Sequence, residues 1–326
     1  MEKVKPRTAS QALSVLLKAR QPAVLWGPPG IGKSQIVKQV CASENLDIRD
    51  IRAVLLDPVD LRGLPYVVEG RSLWAAPGFL PDEGVGVLFF DELNRAPTLV
   101  QNACLQLVLD RCLGEYVLPS GWTVLAACNR EQDGGGVQRM SSALLNRFVH
   151  LELEVDADQW SAWALAANIH PMVVAFLRFR PELLHKFDPQ ERAFPTPRSW
   201  EFVSGIVSQN PQKDILFALV GGAVGHGAAV EFMAFLDLYR KLPSIDAILL
   251  DPDNAPVPAE VSGLYAVSAA LALRARSDNF SRILKYLARV SMEYGVFSVK
   301  SALGRDPSLA TSPEFTRWAV ANAAAL

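Results

Sequence analysis

The sequence predicts a two-part chain: an α/β region on a parallel sheet covered by helices on both faces, then an all-helical region. Three observations carry this. Over residues 1–155, short and almost wholly apolar runs alternate with helix-like stretches, and strands with few polar residues are those buried on both faces. From Asp156 onward such runs largely vanish, and Trp, Phe, Leu and Ala recur at spacings of three and four, the helical period. The length, 326 residues, suits about two domains and buries a core without staples or metals.

The elements follow in order. Ala23-Val24-Leu25-Trp26 is a short apolar strand, and a helix runs from Lys33 to about Glu44. Ile48 to Val54 is strand-like. A Pro/Gly-punctuated stretch, Asp57 to Gly86, holds Leu64–Trp74, a strand, turn and strand with Glu69-Gly70 at the turn. Val87–Phe90, Trp122–Cys128 and Val149–Leu153 are further apolar strands. Between them, helices are expected from Pro97 to about Leu113 and, briefly, over Ser142–Phe148. In the second part, breaks near Phe187–Pro197, Pro243–Ser244 and Asp251–Pro258 separate helices. They suggest one helical domain over 156–242 and a helical extension over 243–326, with no internal repeat or low-complexity tract.

Composition narrows the function. Lys and Arg number 32 against 34 Asp and Glu, a net charge of −2, whereas gripping nucleic-acid phosphates calls for a basic face. The apolar half and charged fifth of the chain are wrong for disorder. Met1 to Arg20 holds no signal-peptide core, and no apolar run approaches a spanning helix. Cys41, Cys104, Cys112 and Cys128 form no CxxC pair, and His150, His170, His185 and His226 are scattered. These point to buried thiols in a reducing, cytoplasmic setting, and to no histidine metal site.

Gly27-Pro28-Pro29-Gly30-Ile31-Gly32-Lys33-Ser34 fits G-x-x-x-x-G-K-[ST]. A loop wrapped around phosphates must turn several N–H groups inward, which glycines permit. Lys33 then reaches the β/γ phosphates, Ser34 ligates Mg²⁺, and the following helix offers its positive N-terminus. A strand before and a helix after supply the context that a bare Gly-rich turn lacks.

Asp91-Glu92 closes the Val87–Phe90 strand. Two acids ending a buried strand are costly unless compensated. Asp91 as the Mg²⁺ partner and Glu92 as the group polarising a water would compensate; the plain alternative is a strand running into solvent. Asn129, after Trp122–Cys128, lies where open parallel sheets bind ligand, and could hold the attacking water or merely cap a turn. Arg147, in Ser142–Phe148, reads as exposed at a helix end, serving either a neighbouring subunit's nucleotide or its own helix C-terminus. In Phe194–Trp200, Thr196 suits an N-cap and Pro197 the first helical position. That leaves Arg198 in a first turn, which disfavours a cation unless a phosphate lies near. Arg95 and Arg130, at strand ends, contact nucleotide or a neighbour, or neither. Trp160, Trp163 and Trp200 read as core. Gly221, Gly222, Gly225 and Gly227 lack a preceding strand, which argues against a second phosphate loop.

Together these segments resemble the AAA+ ATPases, and most closely the MoxR family. The signatures are GPPGIGKS (Walker A), FFDELNRAP (Walker B with its Asn-Arg-Ala continuation), Asn129 (sensor 1), LLNRF (arginine finger) and TPRSW (sensor 2). Leu56–Pro65 also looks like the family's stretch before its helix-2 insert. The likeness covers about 20–205 and is looser beyond. It implies a P-loop core sheet in the order 5-1-4-3-2, an α-helical lid and ATP bound between core and lid with Mg²⁺. It also implies Arg147 acting on the next subunit in a ring, a hexamer, and the 66–74 hairpin as the helix-2 insert. Family members remodel or activate protein clients and often pair with a von Willebrand factor A domain protein. The Gly134-Gly135-Gly136 run would make the presensor loop pliant, and 243–326 exceeds the minimal core.

Two functions follow. The first is a mechanochemical, Mg²⁺-dependent ATPase of the MoxR type. In it Lys33 stabilises phosphate charge, Ser34 and Asp91 hold Mg²⁺, Glu92 activates water and Asn129 orients it. Arg147 acts in trans and Arg198 couples lid closure to the γ-phosphate. The second is an ATP-gated assembly module with slow turnover. A DNA motor is disfavoured because no Lys/Arg stripe with interleaved aromatics is present. No nucleic-acid or membrane partner is expected.

Overall fold

The computed structural model describes residues 2–133, 136–241 and 244–322. Gly134 and Gly135 of the glycine run, Leu242 and Pro243 at the expected lid boundary, and 323–326 lie outside the described residues. Two compact units are present, Met1–Asp156 and Ala157–Leu326.

The first unit contains β1 (Lys3–Val4), α1 (Pro6–Lys18), β2 (Ala23–Trp26), α2 (Lys33–Ser43), β3 (Asp47–Arg52), α3 (Pro58–Arg62), β4 (Leu64–Val68), β5 (Arg71–Ala75), β6 (Gly86–Asp91), α4 (Thr98–Asp110), β7 (Cys112–Leu113), β8 (Tyr116–Val117), β9 (Trp122–Cys128), α5 (Ser142–Leu145) and β10 (Val149–Leu153). Six strands form one sheet in the order β1-β10-β2-β9-β6-β3, every pair parallel. Counting the five main strands along the chain, this is 5-1-4-3-2, with two-residue β1 added beside β10. This parallel, helix-covered sheet has the strand order that the resemblance implies.

Strand alternation explains why the apolar runs are nearly unbroken. Leu25, Val87, Phe89, Leu125 and Ala127 pack on α1 and α2 through Leu13, Val37 and Val40. Val24, Leu88, Phe90, Val124 and Ala126 pack on the opposite face with Cys104, Leu107 and Leu144. Both faces of the sheet are covered at its centre, so β2, β6 and β9 are apolar at nearly every position, while β3 at the edge is charged and largely exposed.

Two local expectations are corrected. The helix expected to reach Leu113 ends at Asp110, because Arg111 turns into the left-handed region (φ 56°). Its guanidinium donates to the carbonyls of Pro119 and Trp122, and Cys112, expected on the helix, begins the β7–β8 hairpin. Helix α1 was not anticipated; Ala9, Leu13 and Leu17 are its buried stripe. The β4–β5 hairpin turns at Glu69-Gly70 (φ 50° and 74°), and β4 is exposed along its length.

The second unit is helical: α6 (Ala157–Ala166), α7 (Pro171–Phe179), α8 (Pro197–Ser208), α9 (Lys213–Val224), α10 (His226–Lys241), α11 (Ile245–Leu250), α12 (Val261–Arg274), α13 (Phe280–Leu287), α14 (Met292–Arg305) and α15 (Pro313–Ala321). Helix α12 packs on both α7 and α14. An aromatic cluster of Phe176, Trp200 and Phe232 anchors α7, α8 and α10, with ring centroids 5.2–5.7 Å apart. Trp160 and Trp200 are buried and Trp163 half-buried. Among the described residues no helix is long and apolar enough to cross a membrane.

Candidate active site

The carboxyl ends of β2, β6 and β9 meet at one edge of the sheet, where open parallel sheets leave room for a ligand. Trp26 of β2 is level with Cys128 of β9, and the Gly27 N–H extends the ladder to the Cys128 carbonyl. The phosphate-type loop therefore starts beside Asn129.

Within the loop, Gly30 and Gly32 adopt φ 75° and 100°. Gly32 is the N-cap of α2 without side-chain capping, so the first amides of the helix are left for another acceptor. Lys33 is buried, and its Nζ donates to Gly27 O (2.7 Å), Pro28 O (3.0 Å) and Asn129 Oδ1 (2.9 Å). An ammonium has three donors, and here all three hold the loop and the next strand together. Asn129, read as a water-holding residue, is thus engaged with Lys33.

Ser34 Oγ donates to Asp91 Oδ2 at 2.8 Å. Asp91 is buried, and its other oxygen accepts from the Glu92 N–H at 3.0 Å. Glu92 sits in the left-handed region (φ 56°, ψ 36°), an uncommon conformation for this residue type that stores strain and recurs at functional sites. It turns the chain sharply after β6. Glu92 Oε1 accepts from Arg95 Nη1 at 3.2 Å. A hydroxyl and a carboxylate converging on one point are hard oxygen donors of the type Mg²⁺ takes, so the residues present fit that ion. Among the described residues no group of three or more His, Cys, Asp or Glu could hold a metal by itself.

Three further residues were open from the sequence. Arg95 pairs with Glu92. Arg130 is bound by Asp133 (2.7 Å) and lies 3.7 Å from Glu152. The Asp133 hydrogen bond raises its pKa above the ordinary arginine value, and Arg130 is explained as a brace inside the first unit. Arg147, expected to be exposed, is half-buried; its Nε is shielded and has no hydrogen-bond partner among the described residues. Helix α5 ends at Leu145, so Arg147 lies in the turn between α5 and β10 rather than on the helix.

Two residues escaped sequence reasoning. Buried Asn94 brackets the Asn129 backbone, accepting from its N–H (3.3 Å) and donating to its carbonyl (2.7 Å). His150 Nδ1 accepts from Trp26 Nε1 at 2.9 Å, and Nε2 donates to Leu145 O at 2.8 Å. That fixes the Nε2–H tautomer and ties the strand before the loop to the helix before Arg147. Cys128, next to Asn129, is no nucleophile: burial pushes its thiol up to about 12. In the second unit, Thr196 and Ser199 form a reciprocal capping box on α8, and Arg198 is exposed in its first turn.

No family model matches the chain, and no curated protein matches it in sequence. Solved structures resemble it remotely. The Thermotoga maritima RuvB Holliday junction branch migration motor is 19% identical over 85% of this chain and 84% of its own, with a TM-score of 0.41. NtrX from Brucella abortus in complex with ADP is 16% identical over 97% and 68%, with a TM-score of 0.43. Likenesses this remote carry no argument; the fold rests on the strand order and the loop itself.

Proposed function

We propose that the chain is a Mg²⁺-dependent ATPase, an AAA+ protein of the MoxR type, whose sites are completed between copies in a hexameric ring. The observation that carries the reading is the convergence of Lys33, Ser34, Asp91, Glu92 and Asn129 at one sheet edge. The uncapped N-terminus of α2 and the loop Gly27–Ser34 would take the phosphates of ATP, with Lys33 turning from its carbonyl partners toward them. Ser34 and Asp91 would hold Mg²⁺, which when bound neutralises phosphate charge. Glu92 would accept a hydrogen bond from the attacking water and Asn129 would orient that water, the electrostatic positioning that dominates phosphoryl transfer. Arg147 would act on another copy's nucleotide, the role the resemblance implies for it. In this reading residues 156–242 form a lid whose Arg198 senses the γ-phosphate, the β4–β5 hairpin faces a protein client, and a von Willebrand factor A domain protein is a partner.

A second reading, an ATP-gated assembly module with slow turnover, draws on the Glu92–Arg95 pair, which occupies the carboxylate that turnover needs. Steady-state phosphate release from ATP with Mg²⁺, measured across protein concentration, separates the two: the ATPase reading requires turnover.

A further inference from the structure

The Asn-Arg-Ala continuation after the two acids has no part in the scheme above, yet Asn94 is its most constrained residue. It is 1% exposed. Both polar ends of its side chain are spent on one peptide unit, Nδ2 on Asn129 O and Oδ1 on Asn129 N. Such a two-point match fixes the amide's orientation, since reversing it would set donor against donor. The backbone carbonyl of Asn94 accepts from Gln138 N at 2.7 Å, on the segment that leads into α5.

The location gives the contact its meaning. The β6–β9 ladder ends at Phe90↔Ala126, so backbone pairing does not extend to Asn129 from the acidic strand. Asn94 lies in the short 3-10 turn Leu93–Arg95 that follows Glu92, and it takes over where the ladder stops. Asn129 in turn accepts from Lys33. One buried amide thus sets the spacing between the acids and the lysine–asparagine pair.

We propose that Asn94 is a positioning residue: it holds Asn129, and through it Lys33, in register with Asp91 and Glu92. The inference rests on the ATPase reading. The test is a set of full-length variants assayed for kcat, for dissociation of a fluorescent ADP analogue and for thermal unfolding. Asn94→Ala is expected to lower kcat by about tenfold or more, as small misplacements do, with nucleotide affinity changed by less than about threefold. Adding it to Asn129→Ala is expected to change kcat by less than about twofold, because residues acting through one another are not additive. In Asn94→Asp, a neutral carboxyl can donate to Asn129 O and accept from Asn129 N, while the anion cannot donate. Its kcat relative to the original chain is therefore expected to rise as pH falls. If Asn94→Ala does not fold, this pH profile decides. An active parent chain whose Asn94→Ala keeps its kcat, a multiplicative double variant, or a flat Asn94→Asp profile overturns the inference. A parent chain without turnover overturns the ATPase reading itself.

Discussion

Replacing Glu92 with Gln separates stability from chemistry at a single atom. Among the described residues its side chain meets one ionic partner, Arg95 at 3.2 Å, and both side chains are partly exposed (28% and 37%). A pair so placed contributes about 0–1 kcal/mol. The amide keeps the length and one acceptor oxygen, so unfolding should change by less than about 1 kcal/mol. Nucleotide affinity should hold, because Glu92 is paired with Arg95 while Lys33 is held by Gly27, Pro28 and Asn129. Turnover should collapse: losing a positioned base costs about 10²–10⁴-fold, or about 3–5 kcal/mol on the barrier. Melting, fluorescent-nucleotide binding and phosphate release on one preparation read all three quantities. A Glu92→Gln variant that binds, melts normally and still hydrolyses within tenfold of the parent would refute Glu92 as the water-activating group.

The second unit offers two independent checks. His170 accepts from Met172 N to cap α7, and burial, then the charge of Arg305, pushes its pKa down to about 4. Between that value and its ordinary ~6.5 the unfolded chain binds the extra proton, so stability is fullest above ~6.5 and falls with pH toward 4, by about 2 kcal/mol at pH 5. Denaturant melts at pH 7.5 and 5 measure the loss; His170→Asn, which keeps a capping oxygen, should flatten it, and an unchanged slope would contradict the assignment. Trp200 is fully buried and donates to Leu183 O at 2.7 Å, so Trp200→Ala should cost about 3–5 kcal/mol in the same melts, and a loss below about 1 kcal/mol would show that the aromatic cluster is not a core.

How much of this was legible depends on whether a feature is local. The apolar strands, the phosphate loop and the turn at Glu69-Gly70 are written in contiguous residues, and all appear where expected. The strand order was not; it came with the resemblance, because nothing in a strand's own residues names its neighbours. Helix α1 carried its Ala9, Leu13, Leu17 stripe in plain view, but within a segment weighed only for targeting. Arg111 shows the opposite case: an arginine continues a helical pattern perfectly well, and the carbonyls of Pro119 and Trp122 that stop it there belong to tertiary structure. At the site, residue types gave Lys33, Ser34 and Asp91 but not their pairings. Arg130 could have been matched to Asp133 at i,i+3; Asn94 could not have been matched to Asn129 across 35 positions.

The central claim is that a catalytic site is finished by a second copy through Arg147. The direct measurement is phosphate release per subunit with Mg²⁺, from concentrations at which mass measurement finds single chains up to those at which it finds rings. The account predicts a specific rate that climbs with assembly and then levels, and an Arg147→Ala variant that assembles without the climb. A specific rate that is the same for single chains and rings, and unchanged in Arg147→Ala, would contradict it.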